Sequence, residues 1–236
     1  MLPPSLTHAT STTTDGNMGL RFGTETAVAL NRKTWLTKQN VDPNQVCLMD
    51  VAHKADIFDV TKENFKPNMH PICDVLVTQD SGIALMLLTA DCMPVTFFDP
   101  ATNVIALGHF NRHTIPFEIG KKTIDHLTST YGTNPADLLI HIGPCISADS
   151  YRFPLPLNDP TPEATLSYMI VKNNYAHIDV TSAHVDALLA AGVAQSNITL
   201  PTIDTATDSN YFSHFATKQL QTKPDGRFAT VVMRRQ

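Results

Sequence analysis

The chain has 236 residues, a length prior of about 1.6 domains at roughly 150 residues each, and enough chain to bury a core without staples. Hydrophobic residues make up 42% and charged residues 17%, a globular composition that excludes disorder as the main state. Seventeen Lys and Arg against 22 Asp and Glu leave a net charge of −5, which argues against a nucleic-acid or anionic-membrane binder.

No run of about eighteen apolar residues occurs, so no membrane span is expected. The opening MLPPSLTHATSTTTDG lacks the basic and then apolar pattern of an export leader. Four cysteines (Cys47, Cys73, Cys92 and Cys145) form no CxxC pair, so free thiols in a cytoplasmic, reducing compartment are expected.

The first sixteen residues read as loop or a short edge strand. Residues 26–40 carry a helical pattern, with Val28, Leu30, Trp35 and Leu36 apolar, and Asp42–Pro43–Asn44 is a turn. Residues 46–51 and 55–60 read as short strands flanking His53, followed by a polar loop. The apolar runs 74–78, 83–90, 93–98 and 104–108 predict strands covered on both faces, the last two joined as a hairpin through residues 99–103. Phe117, Gly120, Ile124, Leu127 and Tyr131 share a helical face that Gly132 ends. Residues 138–142 predict a strand before a Gly143–Pro144 break. Helices are predicted over 161–172 and 180–191, the second capped by Asp179 or Thr181, with terminal strands at 198–203 and 228–234. Consecutive strands rather than βα alternation indicate an α+β layered fold.

GxGxxG, GxxxxGK[ST], GxSxG and HExxH are all absent, which argues against dinucleotide, P-loop and common serine-hydrolase chemistry. The sharper feature is Thr89-Ala90-Asp91-Cys92-Met93-Pro94, a thiol at a strand junction. His109 ends the partner strand of the hairpin, within reach of Cys92. With His53 these make a three-ligand set suited to Zn²⁺ with one open position. On spacing alone, a buried thiol and two ordinary histidines explain the pattern more simply.

The segments CDVLVTQDSGIALMLLTADCMPVTFFD, VIALGHF, IHIGPCIS and the later Tyr151 occur in the order of the DALVT, TADCxP, VAxxHAGWRG and GPxI signature. Asn17 with Arg21-Phe22-Gly23, VAHKADIFDV, DVTSAHVDALLAAGV, Tyr211-Phe212-Ser213-His214 and Gly226-Arg227 extend the match along nearly the whole chain. The chain thus resembles the YfiH family, also called the laccase-domain or multicopper polyphenol oxidoreductase family, which includes the peptidoglycan-editing factor. The resemblance implies a single layered α/β/β/α domain over 1–236 and a zinc site of His53, Cys92 and His109, with copper the less favoured metal. It also implies a purine nucleoside substrate, used in phosphorolysis of adenosine, inosine or methylthioadenosine, or in deamination of adenosine. Copper oxidation does not fit, since the chain has no HxH motif.

Where the family has HAGWRG, this chain reads His109-Phe110-Asn111-Arg112-His113-Thr114, with His113 at the Arg position. Phe215 stands where FFSHR ends in Arg, and a third Arg is missing near Thr13. These losses put phosphorolysis in doubt, because Arg grips phosphate through a rigid fork. Asp91 is expected to orient a ligand or accept a proton, and His113 to act as a substitute acid or base. Asn17, Arg112, Cys145 and Arg227 are candidates for substrate binding. Cys47 and Cys73 read as core. His8, His70, His126, His177 and His184 read as surface or capping histidines. The partners expected are a purine nucleoside and phosphate, for a monomer or small homo-oligomer. The competing readings are a Cys92–His109 hydrolase acting on a peptidoglycan precursor, and a zinc-binding member without turnover.

Overall fold

The computed structural model describes residues 2–157 and 162–235. Two sheets stack at its centre. The first orders β1 (Leu6–Thr10), β15 (Phe228–Arg234), β7 (Ala84–Thr89) and β2 (Val46–Leu48). The second orders β14 (Ile198–Thr199), β10 (Leu139–Ile142), β8 (Met93–Phe98), β9 (Ile105–Phe110), β6 (Val75–Thr78) and β4 (Ile57–Asp59). The opening strand is therefore an edge strand, paired antiparallel with the last one from Leu6↔Arg234 to Thr10↔Thr230.

Three apolar clusters define the layers. Leu85, Leu87, Cys47 and Val232 of the first sheet meet Leu76, Phe98, Ile105 and Leu107 of the second. On the outer face of the first sheet, Trp35 and Leu36 of α1 (Glu25–Lys38) cover Val46, Met86 and Val231. On the outer face of the second, Ile119, Ile124 and Leu127 of α2 (Ile119–Tyr131) and Leu188 of α4 (Val180–Ala190) cover Val75, Val95 and Phe97. The order is α/β/β/α. Because both faces of each sheet are covered, the central strands read as continuous apolar runs rather than alternating ones. Each fully buried Phe97, Phe110 or Phe228 contributes about 1.5–3 kcal/mol through burial.

Local signals account for the helix ends. Asp179 caps α4 by accepting from the Ser182 N–H, and Thr24 caps α1 by accepting from the Ala27 N–H. Gly132 closes α2 in the left-handed conformation, φ 74°, where a Cβ is costly.

One predicted helix is corrected. Residue 161 lies outside the described residues, and of 162–172 only α3 (Glu163–Leu166) is helical. Met169–Lys172 is strand β12, which turns at Asn173 and Asn174 (φ 52° and 62°) into β13 (Tyr175–Ile178) and pairs through it with β11 (Arg152–Pro154). Two consecutive left-handed Asn residues make a tight hairpin turn, and Ile170–Val171 favour strand. The 198–203 strand is likewise shorter, ending at Thr199 before Leu200–Pro201. The 46–51 run divides into β2 and the separate β3 (Asp50–Val51), which pairs in parallel with β5 (Ile72–Cys73).

The four middle runs do not share one sheet. β7 belongs to the first sheet and β6, β8 and β9 to the second, so the chain crosses between sheets at residues 90–92. Asp91 makes that crossing in a left-handed conformation, φ 85°. This crossing, together with the open end of the β8–β9 hairpin, builds the site. Among the described residues no helix is long and apolar enough to cross a membrane.

Candidate metal centre and adjoining cavity

Register brings the hairpin residues together as expected, with Pro94 opposite His109 and Met93 opposite Phe110. Cys92, just ahead of Met93, therefore sits at the same end as His109. His109 is 3% exposed, and its Nδ1 lies 3.2 Å from Asp74 Oδ1. His53 is exposed on the loop after β3, its ring 5.1 Å from that of His109.

Among the described residues, the donor atoms of His53, Asp74 and His109 all lie within 4.8 Å of one another. Cys92 stands outside this tight group and lines the cavity beside it. Asp74 was not singled out from the sequence, although a signal was present in CDVLVT. A carboxylate opening a fully apolar buried strand has to be paired. Burial alone would raise its pKa. The His109 ring and the N–H groups of Lys54 and His53 outweigh that and bring it down to about 2.

The donor chemistry suits a borderline divalent ion. His109 Nδ1 faces a carboxylate, which leaves Nε2 as the coordinating atom, the usual arrangement around a bound metal. Burial lowers the His109 pKa, keeping the ring in the neutral form a ligand needs. Burial, and then the Asp91 charge, push the Cys92 thiol up to about 12. A thiol so raised is a poor free nucleophile and gains its thiolate character on meeting a metal.

The cavity, about 320 Å³, is lined at this end by Asp91, Cys92, Met93, Asn111, Arg112 and His113. His113 lies 6.0 Å ring to ring from His53, and its backbone N–H donates to Asn111 Oδ1 at 2.8 Å. Arg112 Nε is 3.4 Å from His113 Nε2, and its guanidinium lies 5.3 Å over the Phe153 ring. The far wall is aromatic. Tyr151, Phe153 and Phe215 meet edge to face, with centroids 5.0 to 5.7 Å apart. Phe215 therefore contributes a ring to this wall. Lys218 and His214 stand at the rim, at 3.4 and 3.6 Å from Asp225.

Asp91, Asn17, Arg227 and Cys145 are each held by contacts within the fold. Asp91 is buried, which raises its pKa, and its carboxylate accepts from Thr205 Oγ1 and the Phe215 N–H, both at 2.7 Å. It ties the sheet crossing to the aromatic wall. Asn17 Oδ1 accepts from the N–H groups of Gly19 and Arg227, a clasp between the two chain ends. Arg227 pairs with Asp225 at 3.2 Å and lies 4.3 Å over Phe22. Cys145 is 2% exposed, with its thiol pushed up to about 12 by burial and 3.8 Å from Thr181 Oγ1. Among the described residues, neither Asn17, Arg227 nor Cys145 lines the cavity. His184, read as a surface or capping histidine, is 2% exposed, and its Nε2 donates to the Asn111 carbonyl at 3.0 Å. The helical spacing of α4 turns it inward, beneath the His109–His113 turn.

The family described as multi-copper polyphenol oxidoreductase laccase matches residues 8–235, and the chain belongs to it. One relative is purine nucleoside phosphorylase YlmD of Geobacillus stearothermophilus. It is 30% identical over 218 residues, which cover 84% of this chain and 77% of the relative. Purine nucleoside phosphorylase SCO2081 of Streptomyces coelicolor is 31% identical over 139 residues, 58% of this chain and 57% of its own. Adenosine deaminase RL5 from an unknown prokaryotic organism is 29% identical over 134 residues, 53% and 49% of the two chains. The chain thus spans about half the length of two of these three relatives. The YfiH structure from Bacillus licheniformis superposes with a TM-score of 0.82 at 22% identity, over 97% of this chain and 92% of that one.

Proposed function

We propose that this chain is a zinc-dependent enzyme of purine nucleosides, with His53, Cys92 and His109 holding the ion. The observation that carries the reading is the pair of imidazoles gathered at Asp74, beside a cavity lined by a thiol and an aromatic wall. Zinc bound there would supply a Lewis acid and bring the pKa of water down to about 7. The remaining work falls to the chain. Tyr151, Phe153 and Phe215 present apolar surface against which a flat base packs. Arg112 and Lys218 offer positive charge to an anion or to sugar hydroxyls at the cavity rim. His113, exposed at the cavity mouth, is placed to exchange a proton with a bound nucleoside.

Relatives named as phosphorylases and as a deaminase support both branches of nucleoside chemistry. Phe215 favours the branch that needs no phosphate, since it brings a ring where an arginine fork is expected. The Cys92–His109 hydrolase reading fares worse, because a thiol held near 12 is not a ready thiolate. The test is product analysis of zinc-loaded protein with adenosine, inosine and methylthioadenosine, with and without phosphate. Inosine formed from adenosine without phosphate supports deamination. Free base formed only with phosphate supports phosphorolysis, with Arg112 and Lys218 as the anion contacts. No product from any of them refutes the enzymatic reading and leaves a zinc-binding member without turnover.

A further inference from the structure

Asp74 belongs to the tight group of donor atoms, yet its carboxylate has no capacity left for an ion. Oδ1 accepts the His53 N–H at 2.9 Å and faces His109 Nδ1 at 3.2 Å. Oδ2 accepts the N–H groups of Lys54 at 2.7 Å and Ala55 at 2.9 Å. Three backbone N–H donors and one imidazole nitrogen occupy the lone pairs of one carboxylate. The residue is fully buried, and among the described residues His109 is its only side-chain charge partner.

We propose that Asp74 is the positioning residue of the metal centre: one buried carboxylate sets both the path of the loop that presents His53 and the ring orientation and tautomer of His109. The inference rests on the metal reading above and assigns Asp74 a role distinct from that of the ligands. His53 and Ala55 both take left-handed backbone conformations, φ 60° and 64°, which residues with a Cβ adopt only when held. Three successive N–H groups aimed at Asp74 do the holding. On the other side, the Asp74 backbone carbonyl accepts the His109 N–H at 2.7 Å, so the two residues are locked through main chain and side chain together. With its Nδ1–H spent on the carboxylate, His109 keeps Nε2 free to coordinate. The buried negative charge, met only by N–H dipoles and imidazoles, also favours a cation on the far side of the ring.

Two measurements test this. Long-range proton–nitrogen spectra of the metal-free wild-type protein read the tautomer of His109, assigned by the signal missing from His109→Gln. The Nδ1–H form is expected, and an Nε2–H form overturns the proposal. Zinc affinity, read by competition with a chromophoric chelator, is expected to fall about 10–100-fold in Asp74→Asn, with near-native circular dichroism. Unchanged affinity in the variant, with zinc bound by the wild type, overturns the proposal alone. A wild type that binds no zinc overturns the metal reading along with it. If Asp74→Asn does not fold, the wild-type tautomer still decides.

Discussion

The metal centre and the aromatic wall of the cavity beside it are built on opposite plans. The metal side is a dense hydrogen-bonded knot. A single carboxylate takes three backbone N–H donors and faces the His109 ring, and both histidines depend on it. The far wall is three rings in edge-to-face contact, with a guanidinium above one of them and cations at the rim. The first has one geometry, because any shift leaves a buried polar group unpaired. The second can adjust, because ring contacts are weakly directional. The proposed ligands stand on the rigid side, and the surface proposed to receive the base stands on the adaptable one.

The sharpest way to break that division is to remove a ligand. Cys92→Ala and His109→Ala are each expected to abolish zinc binding, read as metal content after gel filtration. Full zinc content in Cys92→Ala would take the thiol out of the ligand set and leave the centre to imidazoles. Next in size is Phe215→Ala. Truncating a ring that is 6% exposed is expected to cost about 3–5 kcal/mol, read by denaturant unfolding, and to raise KM for a nucleoside more than it lowers kcat. A kcat loss with KM unchanged would show that the aromatic wall takes part in chemistry and not just in binding.

A control lies away from both regions. His8, on β1, contacts the His141 ring at 4.7 Å and Thr96 Oγ1 at 3.1 Å. Burial, reinforced by His141, lowers its pKa from 6.5 to about 4. The unfolded chain takes up a proton below 6.5 while the folded one does not. Stability is therefore intact above about pH 6.5 and is lost progressively towards pH 4, by about 3 kcal/mol at most. His8→Gln is expected to flatten that slope in a series of melting curves without altering zinc affinity. The smallest effect belongs to the rim. Lys218, whose side chain is 57% exposed, pairs with Asp225, and Lys218→Ala is expected to cost less than about 1 kcal/mol of stability. Any larger change in that variant should appear in phosphate dependence.

Much of this architecture was legible from residue order. The apolar runs at 74–78, 83–90, 93–98 and 104–108 are strands because both faces of each sheet are covered, and such burial leaves a continuous signal. The hairpin over 93–108 followed from its turn, and with it the placement of Cys92 and His109 at the same end. The 161–172 helix failed because a short amphipathic stretch reads equally as helix or strand, and the decision lay with the Asn173–Asn174 turn. His184 was misjudged because a lone histidine on a helix gives no sign of which way it faces.

Sequence alone marked the apolar strands, Asp179 as one of two candidate caps for α4 and Gly132 as the end of α2, since each depends on local pattern, while the metal ligands it put forward rest on the resemblance. Tertiary structure decided which sheet each strand joined, and that the chain crosses between sheets at Asp91 to bring a thiol and an aromatic wall around one cavity, with two histidines gathered at Asp74 beside it. It also gave Asp74 its part. A carboxylate becomes an organiser only when loop, strand end and imbedded imidazole converge on it from residues 53, 54, 55 and 109. Such convergence is a property of three-dimensional register, because the hydrogen-bond partners of a buried charge are chosen by proximity in space and not along the chain.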